Sequence, residues 1–147
     1  MIYINFERIC SIYENVVQVS GGGAAGILDR GRVQGILEQV QNDDYYPEIE
    51  DKLTYLFFSL NKYHCFQDGN KRIALATCID FLNLNGYLFI LNRFVREMEN
   101  ISIHVAAGSI DEELLKELIQ SIIYEDDYSE ELKLKLINAI MKTTYEE

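Results

Sequence analysis

From Ile73 to Leu82 the chain reads Ile-Ala-Leu-Ala-Thr-Cys-Ile-Asp-Phe-Leu. As a helix, this stretch carries apolar residues nearly all the way round (Ile73, Leu75, Ala76, Cys78, Ile79, Phe81 and Leu82), so it has almost no face for solvent. Other elements must enclose it, and Ala74 and Ala76 let them come close. Directly before it stand His64-Cys65-Phe66-Gln67-Asp68-Gly69-Asn70-Lys71-Arg72, which put a base, an acid, a glycine, an amide and two cations within nine residues. That order predicts a loop closing onto the N-terminus of a buried helix, where free backbone N–H groups and the helix dipole favour an anion.

The flanking sequence supplies amphipathic helices for the enclosure. Asn5 can cap a first helix with Phe6, Ile9, Tyr13 and Val16 on one face. Asp29 caps a second, bearing the stripe Val33, Ile36, Leu37 and Val40. Pro47 suits the first turn of a third, with Ile49, Leu53, Leu56, Phe57 and Leu60 inward. Asn85-Gly86 stops the motif helix. Tyr87–Leu91 reads as a short extended segment, followed by a helix from about Arg93 to Ala107. Ser109 with Glu112 forms a capping box for the next, whose core face is Leu114, Leu115, Leu118, Ile119 and Ile122. After the break at Glu125–Tyr128, a last helix turns Leu132, Leu136, Ile137, Ile140 and Met141 to one side. The expected fold is an all-α bundle of about seven helices in a single domain over residues 1–147. Residues 126–147 form an added C-terminal helix.

Four glycines lie between Gly21 and Gly26, too many for regular structure, so a mobile loop is expected there. Gly21, Gly23 and Gly26 also satisfy Gly-x-Gly-x-x-Gly. No second strand ending in an acidic residue follows about 20 residues on, so a dinucleotide site is not read from it.

With 24 acidic and 13 basic residues the net charge is −11, which argues against nucleic-acid binding. Hydrophobic residues make up 48%, yet no apolar run approaches the roughly 20 needed to span a bilayer. The N-terminus lacks the layout of a signal peptide. A cytoplasmic protein without nucleic-acid or membrane partners is expected. Cys10, Cys65 and Cys78 are odd in number, show no Cys-x-x-Cys spacing and read as reduced core or near-core thiols.

Within the motif, His64 has an ordinary pKa near 6.5 and suits a general base for an attacking hydroxyl. Asp68 suits magnesium, which takes one or two carboxylates together with substrate phosphates. Gly69 and Asn70 would let the backbone wrap an anion, and Lys71 and Arg72 would neutralise it. Two cations in the first turn oppose the helix dipole by a few tenths of a kcal/mol or more each, and a bound anion would relieve that. Phe66 alternates with His64 and reads as the anchor holding the loop to the core. The second histidine, His104, has no acidic partner at ligand spacing and reads as structural.

His-x-Phe-x-Asp-Gly-Asn-Lys-Arg resembles the signature of Fic/Doc proteins, and its Asn-Lys-Arg ending that of the Doc (death-on-curing) branch. Gly26–Arg32, Phe81–Gly86 and Ala106–Ile110 are similar to further segments of the family, so the resemblance runs from about residue 5 to 124. It implies an enzyme using ATP with magnesium, with His64, Lys71 and Arg72 catalytic, Asp68 at the metal, and Gly69, Asn70, Lys71 and Arg72 at the phosphates. Fic-type AMP transferases carry a second arginine where this chain has Leu75. Doc-type toxins lack it and act as protein kinases. The resemblance therefore implies a toxin that phosphorylates a hydroxyl side chain of a translation factor, elongation factor Tu, and is silenced by an antitoxin protein. It also implies a target-binding flap upstream of the motif, for which the Gly21–Gly26 loop, or the residues beside it, is the candidate. AMP transfer, and an idle helical binding module, are the alternatives.

Overall fold

Seven α-helices build the fold in the computed structural model, which describes residues 1–19 and 26–146: α1 Phe6–Val19, α2 Arg30–Gln39, α3 Ile49–Lys62, α4 Asn70–Leu84, α5 Leu91–Ala107, α6 Glu112–Tyr124 and α7 Glu130–Glu146. Most of the loop expected at Gly21–Gly26 lies outside the described residues. Short polar side chains start α1, α2, α6 and α7. Asn5 accepts from the Arg8 N–H at 2.8 Å, Asp29 from Arg32 at 2.9 Å, and Ser129 from Leu132 at 3.1 Å, each a cap of about 1 kcal/mol.

Three local expectations are corrected. Pro47 lies before the helix cap of α3. The Glu48 backbone N–H bonds the Asp51 carboxylate at 3.1 Å, which makes Glu48 the cap and delays the first turn to Ile49. Ser109 does not cap α6. Its N–H is bound to the His104 carbonyl at 2.9 Å, finishing α5, and Asp111 takes the cap by accepting from Leu114 at 2.8 Å. Tyr87–Leu91 is not extended. Leu88–Ile90 form a 3-10 turn leading straight into α5, with only Ile90 reaching the core, while Leu88 and Phe89 are exposed.

α4 is buried through Ile73, Ala74, Thr77, Cys78, Phe81 and Leu82, and packs on α1, α3 and α5. It shares the centre with α3, which meets α2, α4, α5 and α6. The apolar stripe of α3 is buried as expected, but so are Glu50, Lys52, Thr54, Ser59 and Asn61. Such groups need partners inside. Lys52 donates to Asp43 at 2.8 Å and to the Val40 carbonyl at 3.0 Å, and lies 5.4 Å from the Tyr3 ring centre. Glu50 accepts from the Tyr124 hydroxyl at 2.8 Å. These bonds tie the helix to α2, α6 and the N-terminal segment. α7 packs mainly on α6 and buries Leu132, whereas Ile137 and Met141 are about half exposed and fall outside the inward stripe read from the sequence. No helix among the described residues is long and apolar enough to cross a membrane.

Candidate active site

α3 ends at Lys62 and α4 begins at Asn70, so residues 63–69 have to reverse the chain within seven positions. His64 makes the turn possible by adopting φ 49°, in the left-handed region where His, Asn and Asp are the commoner side-chain-bearing residues. Gly69 has φ 75°, and a Cβ there would sit 3.3 Å from the Val16 Cγ1, so both conformation and close approach favour glycine.

Between these two pivots the loop is lashed to the core. Cys65 is buried, and its carbonyl accepts from the N–H groups of Leu28 at 2.8 Å and Asp29 at 3.2 Å. Phe66 pairs with Ile27 in an isolated antiparallel bridge, and Gln67 donates to the Gly26 carbonyl at 3.2 Å. The Phe66 ring, 1% exposed, stacks on Tyr13 with centroids 5.2 Å apart. The Tyr13 hydroxyl in turn accepts from the Gly26 N–H at 2.6 Å. The Asn70 side chain closes the loop from the other end, donating to the Phe66 carbonyl at 2.9 Å and accepting from the Phe66 N–H at 3.1 Å. Its amide therefore holds the backbone of the loop. Burial, with the Asp29 charge adding to it, pushes the Cys65 thiol up, which makes it a poor nucleophile.

The outcome is a cleft of about 420 Å³ lined by Asn61, His64, Gln67, Asp68, Gly69, Asn70, Lys71, Arg72 and Ala106. His64, Asp68, Lys71 and Arg72 are exposed. The first intrahelical bond of α4 runs from the Ile73 N–H to the Gly69 carbonyl at 2.8 Å, so the amides of Asn70, Lys71 and Arg72 lie ahead of the helical ladder, the usual seat of an anion. Asp68 accepts from the Gly69 N–H at 2.8 Å and stands 3.9 Å from the Arg72 guanidinium. No group of three or more His, Cys, Asp or Glu residues that could hold a metal occurs among the described residues. Asp68 is the one carboxylate among the lining residues of the cleft, a donor that fits a cation taking one or two carboxylates together with phosphates. Leu75 packs against the core and is not among the lining residues of the cleft. His104, in the last turn of α5, does not line it either.

Sequence reasoning missed Asn61, Gln67 and Ala106 as cleft residues. Ala106 arrives from α5, where the family resemblance of Ala106–Ile110 marked the segment but no chemistry marked the residue. Asn61 did leave a local signal, because it continues the four-residue spacing Leu53, Phe57 of the buried stripe, where an apolar residue is expected. It is 1% exposed, and neither its Nδ2 nor its Oδ1 has a partner, an arrangement costing about 1–3 kcal/mol.

Comparison with known proteins agrees with the motif. The Fic/DOC family model matches residues 3–82. The protein kinase doc of Escherichia phage P1 is 31% identical over 115 residues, covering 75% of this chain and 86% of the relative. The Toxin Doc of Mycolicibacterium smegmatis is 31% identical over 97 residues, covering 63% of this chain and 75% of that protein.

Proposed function

The chain belongs to the Fic/DOC family, and on that premise we propose that it is a Doc-like toxin that transfers a phosphoryl group from ATP to a hydroxyl side chain of a protein. The observation that carries this reading is the meeting of His64, Asp68, Lys71 and Arg72 in one cleft at the start of α4.

His64 takes the proton of the acceptor hydroxyl as its oxygen bonds to the γ-phosphorus and the bond from that phosphorus to the bridging oxygen of ADP breaks. The amides of Asn70, Lys71 and Arg72, with the Arg72 fork and the Lys71 ammonium, hold the phosphate oxygens and offset the charge on them. Asp68 would hold magnesium, which when bound neutralises charge across the phosphates. Such transfer rests mainly on positioning and charge neutralisation. Phosphoryl rather than AMP transfer is supported by Leu75, which packs, partly buried, against the core where an AMP transferase would carry a second arginine. The acceptor we infer is a threonine of elongation factor Tu, and the silencing partner an antitoxin protein.

The test is incubation with magnesium and a cell lysate, using ATP labelled in the α or the γ position. Protein labelling from γ alone is expected. Labelling from α would establish AMP transfer instead, and none from either would leave an idle module.

A further inference from the structure

Asn61 stands out within the cleft. It occupies the last turn of α3, with both ends of its side-chain amide unpaired. A leucine at this position of the stripe would pack without that penalty. Thr77 and Arg93 also have unpaired buried atoms, but neither lines the cleft. Asn61 shares its wall with the residues that attract phosphate, and the exposed side chains beside it, His64, Lys71 and Arg72, can reorient at little cost.

We propose that Asn61 is a nucleotide-contacting residue whose amide acquires its hydrogen bonds only when the cleft is loaded. The amide offers both a donor and an acceptor. Phosphoryl oxygens only accept, whereas a ribose hydroxyl can donate. The ionised phosphate chain and the ribose hydroxyls of a nucleoside triphosphate together satisfy both ends. This assignment rests on the phosphoryl-transfer reading of the cleft and adds a residue to it.

The experiment is calorimetric titration of the full chain with magnesium and a non-hydrolysable ATP analogue, comparing wild type with Asn61→Leu and Asn61→Ala. The Leu variant is expected to melt no lower than wild type without ligand and to bind the analogue about tenfold more weakly. The Ala variant, which leaves a small void, reports the same loss of affinity should the leucine not fit. Dissociation constants within twofold of wild type in either folded variant overturn the assignment while leaving the functional reading intact. Failure of the wild type itself to bind the analogue overturns both.

Discussion

At the scale of single residues, His64 combines two demands that can be separated. Its backbone turns the chain at φ 49°, and the residue lies exposed in the lining of the cleft. Alanine would alter both, because a side chain without local hydrogen-bonding capacity is strained in that region. Asparagine tolerates the conformation and lacks a usable base. His64→Asn is therefore expected to reduce transfer by about 10²–10⁴-fold with a melting temperature close to wild type, checked by labelled-ATP transfer and circular dichroism. Transfer at the wild-type level would remove His64 as the base. The neighbouring Cys65 illustrates the opposite case. It adjoins His64 in sequence, but its side chain is buried in the core and only its carbonyl serves the loop, as an acceptor for Leu28 and Asp29.

At the scale of elements, helix boundaries follow whichever polar group actually reaches an orphan amide. Ser109 and Glu112 have the spacing of a capping box, yet the Ser109 N–H is consumed by the end of α5, and Asp111 caps α6. Asp111→Ala is expected to cost about 1 kcal/mol, a fall of about 3–5 °C in melting temperature for a domain of this size. Ser109→Ala should melt within a degree or so of wild type. The reverse ranking in a thermal scan would restore the serine as the cap. Arg93 shows how an end can be closed from a distance. Its Nη1 donates to the Ser121 carbonyl at 3.3 Å and to the Glu125 carbonyl, so α5 closes the C-terminus of α6, and its guanidinium lies 5.5 Å from the Tyr128 ring centre.

For the whole molecule, two tyrosines tie together segments far apart in sequence. The Tyr124 hydroxyl donates to Glu50 of α3 at 2.8 Å, and that of Tyr128 to Glu97 of α5 at 3.1 Å. The bond to Glu50, followed by burial, pushes the Tyr124 phenol up to about 12, and burial beside Glu97 raises that of Tyr128 further. In the unfolded chain both ionise near 10. Their stabilising effect is therefore complete below about pH 10 and is lost as the pH rises towards the folded values, because the unfolded state then sheds protons the folded state keeps. Thermal melting between pH 9 and 11.5 should show this decline, and Tyr128→Phe should make it shallower. An unchanged slope would refute the role of the partly buried Tyr128 phenol.

These scales also divide what could be read in advance. Helical periodicity, local caps at Asn5 and Asp29, and the ordered run from His64 to Arg72 are short-range properties, so the sequence by itself determined an all-α bundle, the burial of α4 and the family. Which polar residues would be buried, and with what partners, depends on chain segments far apart. Lys52 with Asp43 and Tyr3, Glu50 with Tyr124, and the unpaired Asn61 beside Ala106 were decided only by the tertiary structure. The physical reason is that a polar side chain becomes tolerable inside, or reserved for a ligand, through neighbours that folding brings to it.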